Sequence, residues 1–470
     1  MTTADIWAFM PLLIIAVGIL VVLLAGAFIP GRHGTFVGIA AAVGSACWAF
    51  QKPPQAIAPV LGIAFTPFAR FFIVLFSLAA AVTLLLSHDF NDRRQIRGEE
   101  YPAAVLFAAF GMVVLSTATN LLNLFLGLEG LTFAFYILTA IDTNSPESGE
   151  AGLKYLLQGA VSAAFIAFGI ALLYAGVGTL DIAPAMKAVT AGGKSVPLAW
   201  AGWGMLLTGL AFKVSLVPAH LWTPDVYQGA PTPVVAFLST GSKAAGFATF
   251  LLLLPALGTG MAPLRMPLWW LSLLSMVLGN LAALRQRNLK RMLAYSSIAQ
   301  MGYMTLALLT GIREGFAAVI LYAVIYTVMN LTAFGAISSF SGEKRMDEIE
   351  DYRGFGYTRP LQGAVLALAM FALAGIPPTA GFMGKFAIFS AAIRGGEISL
   401  AVIGIITAVI SVYYYLRVVV ALYMNGPDAE TEAGKTSLTE LTALCSTAFV
   451  ILLLGVYPGP LMDLIDSVLR

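Results

Sequence analysis

The sequence predicts an all-α polytopic membrane protein with about fourteen transmembrane helices. Three observations carry this. The 470 residues are 59% hydrophobic and only 11% charged, where a soluble domain carries about 25% charged residues. The apolar runs approach the roughly 20 residues that cross a hydrocarbon core as a helix, and they lack the alternating polarity of the roughly ten-residue strands of a membrane barrel. No polar connection is long enough to build a core of its own: the longest are HDFNDRRQIRGEE (88–100) and SGEKRMDEIEDYRGFGYTRP (341–360).

The expected spans are 6–28, 35–51, 66–87, 102–119, 121–140, 153–177, 198–221, 232–256, 266–285, 292–311, 314–340, 361–394, 398–424 and 438–462. The first lacks a preceding basic region and a small-residue cleavage pattern, so it reads as a retained helix and not a signal peptide. Cys47 and Cys445 lie in apolar runs far apart, which predicts buried, inert thiols without metal spacing. The formal net charge of +2 points to no nucleic-acid partner.

Lys and Arg in the loops set the orientation. Loops after odd-numbered spans hold about 14: Arg32, Arg93, Arg94, Arg97, Lys154, Arg285, Arg287, Lys290, Arg291, Lys344, Arg345, Arg353, Arg359 and Lys435. Loops after even-numbered spans hold about six: Lys52, Lys187, Lys194, Arg265, Arg313 and Arg394. The odd loops are therefore expected in the cytoplasm and both termini on the opposite side.

Two spans are expected to be broken. LTGLAFKVSLVPAHLW (207–222) places Pro218 after Lys213, and LALAMFALAGIPPTAGFMGKFAIFS (366–390) places Pro377 and Pro378 before Lys385. Proline removes an N–H and frees a carbonyl, which a membrane tolerates only where protein or a water-filled cavity satisfies the backbone. Two interrupted helices about five spans apart point to the inverted repeats of transporters.

Charges inside the spans are the second signal. Glu129, in NLFLGLEGLTFAFYIL, is the one acid that no loop or helix end accommodates. Lys213, Lys243 and Lys385 also fall within spans, each costing roughly 2.5–3.5 kcal/mol on insertion scales. Arg70 and Arg417 lie in or near spans, where long side chains snorkel. A packing role would pair Glu129 with one lysine and leave two without a carboxylate. Buried lysines give up protons readily because desolvation disfavours the ammonium, so a row of them suits a proton relay, with Glu129 holding a proton on Lys213 when near and releasing it when apart. His220, just past the break, suits a proton shuttle or bonds a freed carbonyl. Lys154 is either a loop lysine or the first base met from the cytoplasm. Asp225 and Tyr227 read first as capping or packing residues; Ser296 and Ser297 bond water, backbone or a neighbouring helix; Tyr413, Tyr414 and Tyr415 read as an interfacial or packing feature. There is no cysteine cluster for iron–sulfur, no glycine-rich dinucleotide loop after a strand and no histidine pair for haem. Electron chemistry is expected in other chains.

AFKVSLVPAHLWTPDVYQGAPTPV, LKRMLAYSSIAQMGY and AGIPPTAGFMGKF resemble the antiporter-like membrane subunits of respiratory complex I and of Mrp-type cation/proton antiporters, and the resemblance spans nearly the whole chain. Within that group the chain is similar to the branch of subunit N of bacterial complex I. PDVYQGAP is the N-like form, Lys385 stands where the M branch carries glutamate, and the long C-terminal lateral helix of the L branch is absent. The resemblance implies helices 1–3 (1–100), a first inverted repeat of helices 4–8 (101–257), a second of helices 9–13 (265–425) and helix 14 (436–470), with helices 7 and 12 broken. It implies a relay of Glu129, Lys213, Lys243 and Lys385, to which Lys154 is added as a helix 6 lysine. It also implies other membrane and peripheral subunits as partners, with flavin, iron–sulfur clusters and quinone in those partners and no cofactor here. The implied activity is proton translocation coupled to NADH:quinone oxidoreduction in a bacterial inner membrane; the competing readings are a subunit of a stand-alone sodium/proton antiporter and a scaffold whose polar residues serve only packing. A solute transporter is disfavoured because the interior charges form a lysine-rich row.

Overall fold

In hydrocarbon every backbone polar group needs a partner within the protein, and helices supply one for almost all of them. The computed structural model describes residues 3–28, 33–51, 61–96, 98–190, 196–341, 346–424, 426 and 437–469. Arg32, Lys52, Arg97, Lys194, Lys344, Arg345 and Lys435 of the orientation count lie outside the described residues. The elements are α1 (Thr3–Phe28), α2 (His33–Phe50), α3 (Pro67–Arg93), α4 (Glu100–Thr117), α5 (Leu121–Thr139), α6 (Pro146–Val177), α7 (Ile182–Thr190), α8 (Val196–Lys213), α9 (Trp222–Gly229), α10 (Thr232–Phe237), α11 (Lys243–Leu257), α12 (Ala262–Leu284), α13 (Leu289–Leu309), α14 (Arg313–Phe340), α15 (Phe355–Thr358), α16 (Pro360–Ala374), α17 (Ala380–Arg394), α18 (Ile398–Met424), α19 (Leu438–Val456) and α20 (Gly459–Val468). Among the described residues the β-structure is limited to isolated bridges, such as Asn120 to Asp181 and Asn288 to Glu348.

Twelve described helices are long and apolar enough to cross a membrane, with α10 and α11 forming one of them. The two expected spans that remain are the broken ones: α8 and α9 flank one interruption, α16 and α17 the other. Helix starts follow side-chain caps. Thr66, Asn120, Ser145, Asn288 and Ser437 each accept from a backbone N–H three residues on. Gly178 (φ +78°) and Gly375 (φ +83°) end α6 and α16 in the left-handed conformation that glycine adopts without strain.

Several expectations change. Ser145 and Pro146 start α6 a full two turns before residue 153, so Lys154 is helical and not a loop residue. The last span ends at Val456, and Pro458 opens a separate short helix, α20. The connection after α6 contains α7, whose Ile182, Ala185, Met186 and Val189 share one buried face. Cys47 and Cys445 are exposed on the outer surface of the chain and not buried; in a bilayer an apolar residue is as much at home against lipid as inside. Arg417 does not snorkel: its guanidinium donates to the carbonyls of Leu284 (3.3 Å) and Gln286 at the end of α12.

α14 is the hub and packs against α3, α10, α11, α13, α16, α17 and α19. The span Thr232–Leu257 and α13 are enclosed even more completely, whereas α1, α6 and α19 form the periphery. Helix pairs close through glycine, since lipid offers no hydrophobic drive and close backbone approach replaces it. A Cβ on Gly202 of α8 would lie 2.7 Å from the Gly169 carbonyl oxygen of α6, and one on Gly169 would lie 2.8 Å from the Gly202 oxygen. A Cβ on Gly204 meets nothing within 4 Å. Gly202→Ala is therefore expected to cost about 1–3 kcal/mol through overpacking. Gly204→Ala should be neutral or stabilise by up to ~1 kcal/mol. Melting temperatures of the two variants in detergent check the difference.

Candidate functional site

Lys213 is the last residue of α8 and is 3% exposed. A cation is favoured there by the negative end of the helix dipole, and α5 supplies the counter-charge. Lys213 Nζ donates to Glu129 Oε1 at 2.9 Å and to Thr132 Oγ1 at 2.6 Å. Glu129 and Thr132 are three residues apart and so share one face of α5.

Beyond Lys213 the chain leaves the helix from Val214 to Leu221, with a cis bond before Pro218. The groups freed by the break find partners. Phe212 O accepts Trp222 Nε1 (3.0 Å), Val217 N donates to Ser275 Oγ on α12 (2.9 Å), and Lys213 O accepts Lys243 Nζ (3.3 Å). Ser215 takes a left-handed conformation (φ +62°), unusual for a residue with a side chain. Its hydroxyl meets both Lys243 Nζ and Thr223 Oγ1, the latter at 2.5 Å. Lys243 itself is fully buried and stands 4.5 Å from the centroid of the Trp222 ring, a cation–π distance. Two oxygens and an aromatic face hold this ammonium, with no carboxylate in contact among the described residues. A π-helical turn, Leu238–Ser242, immediately precedes Lys243; such turns insert a residue and re-aim the side chains beside them.

The other residues expected at this end form a separate cluster. Lys154 Nζ lies 2.7 Å from Glu150 Oε1 and 2.9 Å from Asp225 Oδ2, and Asp225 Oδ1 accepts from Arg291 on α13 at 2.6 Å. Asp225 is thus an ionic bridge between α6 and α13, not a cap. The cluster is partly exposed, with Lys154 at 40%. Half-buried His220 lies in the break with its Nδ1 enclosed and without a hydrogen-bond partner. No hydrogen bond joins it to the lysine row among the described residues.

At the second break α16 stops at Ala374 and α17 starts at Ala380, with a cis bond between Pro377 and Pro378. Lys385 Nζ reaches back to the freed carbonyls of Leu373 (2.8 Å) and Ala374 (2.9 Å) and stands 5.7 Å from the Tyr303 ring centroid. Between the breaks lies a buried network of hydroxyls and amides. Tyr227 and Tyr326 meet at Ser297 (3.5 and 2.7 Å). Tyr322 is stacked on Tyr326 and donates to Gln300 Oε1 (2.5 Å). Tyr415 bonds Ser296 and Gln300. Tyr414 and Tyr415 are therefore fully buried network members, while Tyr413 faces outward.

Sequence reasoning missed Thr132, Ser215, Thr223, Trp222, Arg291 and Gln300. A threonine one turn from Glu129 was a visible signal by helical spacing. Nothing in linear spacing announces that Trp222 lies under Lys243, because the break alone folds them together.

The family described as NADH:quinone oxidoreductase/Mrp antiporter, TM, matches residues 118–411. NADH-quinone oxidoreductase subunit N of Geotalea uraniireducens (strain Rf4) is 67% identical over 470 residues, the whole of both chains. A chain of respiratory complex I from Thermus thermophilus with bound Aureothin is 34% identical with a TM-score of 0.83, covering 97% of this chain and 99% of that one. A chain of the Mrp complex from Dietzia sp. DQ12-45-1b has the same TM-score at 18% identity, covering 100% of this chain and 97% of that one, and shares the fold. With relatives alike over its whole length and a matching family across its broken helices, this chain belongs to the antiporter-like membrane subunits of NADH-quinone oxidoreductase, in the subunit N family.

Proposed function

We propose that the chain translocates protons as a membrane subunit of an NADH:quinone oxidoreductase, through a relay of Glu129, Lys213, Lys243 and Lys385. One observation carries the reading: a carboxylate–ammonium pair at 2.9 Å lies inside the spans, directly against a helix break whose freed carbonyl seats the next lysine. Near Lys213, Glu129 stabilises the ammonium by its charge; with Glu129 withdrawn, burial favours loss of the proton. Lys243 is the nearest base, since its Nζ already sits on the Lys213 carbonyl. Lys154 is the outer member, and its ionic bridge to Asp225 ties the mouth of the break to the second half of the chain. His220, half-buried in the break, is a further candidate.

The halves 101–257 and 265–425 act as inverted repeats in this reading, with residues 1–100 and 436–470 outside them. Both termini lie on the non-cytoplasmic side of the inner membrane. Flavin, iron–sulfur clusters and quinone belong to partner subunits. A subunit of a sodium/proton antiporter is the second reading, supported by the shared fold and by a family description that covers both kinds of protein. Purification decides between them: the first requires flavin- and iron–sulfur-containing partners, the second a purely membrane-embedded set with sodium-dependent transport.

Lys213→Ala and Glu129→Gln are expected to lower the proton-pumping rate of the assembled complex by on the order of 10²-fold, the scale of a lost acid–base group. Normal pumping and quinone reduction in an assembled variant would overturn the relay. Lys154→Ala is expected to weaken pumping far less, because its partly exposed pairs are worth roughly 0.2–1 kcal/mol each. That deficit should shrink as salt screens the same pairs in the parent protein; pumping assays at low and high ionic strength read it.

A further inference from the structure

A cavity of about 450 Å³ lies where α14, α17 and α20 meet, a size usual for a ligand site. None of its lining residues belongs to the lysine row. Its walls are apolar: Leu321 of α14, Met383, Phe386 and Ala387 of α17, and Met462 and Ile465 of α20. Phe386 is 61% exposed, so the cavity opens on the outer surface of the chain. The charged lining residues stand at the helix ends. Arg313 and Glu314 start α14, Arg394 ends α17, and Asp466 lies in the last turn of α20. Arg313 is the first residue of a membrane-length helix, so this rim sits where hydrocarbon gives way to headgroups. From Arg313 to Leu321 α14 advances eight residues, about 12 Å at 1.5 Å each. The cavity therefore runs from headgroup depth into the acyl region. The ten residues of α20 are too few to cross a bilayer, and its mixture of acids and apolar side chains suits the interface.

The rim carries both signs of charge. Arg313 Nη2 donates to the Asp466 carbonyl (3.1 Å) and lies 3.8 Å from Asp466 Oδ1. Arg394 and Glu314 are exposed, and among the described residues their side chains have no hydrogen bond or ion pair. One cation and one anion are thus left above an apolar cleft. A fatty acid would use only the arginine. An anionic phospholipid would bring its phosphate beside two carboxylates with no cation of its own to offer them. A phospholipid with a primary ammonium headgroup matches each part: phosphate to Arg394, ammonium to Glu314, and an acyl chain along the walls.

We propose that this cavity binds one molecule of phosphatidylethanolamine, headgroup between Arg394 and Glu314 and one acyl chain against Leu321, Met383 and Phe386. Met383 and Phe386 stand on either side of Lys385 in α17, so the lipid packs on the helix that carries the second-break lysine. The site does not depend on the proton-translocation reading.

The test uses the whole complex in vesicles with a photoactivatable phosphatidylethanolamine, its reactive group in the acyl chain, and locates labelled peptides by mass spectrometry. Label is expected on 313–321 and 383–391, and unlabelled phosphatidylethanolamine is expected to compete better than phosphatidylglycerol. Arg394→Ala is expected to lower this labelling by on the order of three-fold, the range of an exposed charge contact. Glu314→Lys, which removes the anion and adds a cation, is expected to turn the preference toward phosphatidylglycerol. Ala387→Phe, which fills the cavity, is expected to abolish the labelling. Equal competition by the two lipids in the parent would overturn the headgroup assignment. Labelling unchanged in Ala387→Phe would show surrounding lipid only, and no label on either segment would show that a neighbouring subunit covers the cavity; each overturns the proposal. If Ala387→Phe fails to assemble, Glu314→Lys decides, because an exposed rim residue changes without disturbing the core.

Discussion

Carbonyls released inside a membrane must find donors, and at both breaks of this chain lysines are among them. At the first break the Lys213 carbonyl takes Lys243, and at the second the Leu373 and Ala374 carbonyls take Lys385. The arrangement resolves two costs together. An unsatisfied carbonyl in hydrocarbon costs several kcal/mol, and so does a buried ammonium without acceptors. Each break therefore requires its lysine, and each lysine requires its break. The glycine contacts of α6 with α8, the caps and the ring of helices around α14 hold these segments in register.

The two breaks differ in what else they hold. The first adds a carboxylate, Glu129 of α5, in contact with its lysine. Breaking a buried pair by removing one partner costs about 3–5 kcal/mol. Glu129 is also the less buried partner, at 24% against 3% for Lys213, and it sits on the side of α5 where Leu126 and Phe133 face outward. The second break has an amide where the first has an acid, and its ammonium is held by neutral groups alone among the described residues. Similar backbone geometry thus holds one lysine against a carboxylate and the other against neutral groups.

The outer shell obeys different rules from the core. α1, α6 and α19 place large apolar side chains outward, including Leu24, Leu157 and Phe449. Cys47 and Cys445 belong to the same outward population. Hydropathy identified the helices correctly and misjudged these thiols, because lipid and protein interior are equally apolar. The reverse holds for Tyr414 and Tyr415, whose neighbour Tyr413 shows that three successive residues on a helix face three directions.

The sequence by itself determined the number and order of the membrane helices, the two breaks and the four interior charges. Each follows from a local property: an apolar run near the bilayer thickness, a proline where helix is expected, a charge with no loop to hold it. Only the tertiary structure decided that Glu129 meets Lys213 across 84 residues, that Lys243 rests on Trp222 and on a carbonyl of the break, and that Gln300 and Lys385 share one oxygen. Those contacts depend on which helix faces which and on the path of an unwound segment. Neither is encoded in periodicity, because a helix buried on all sides shows no preferred face.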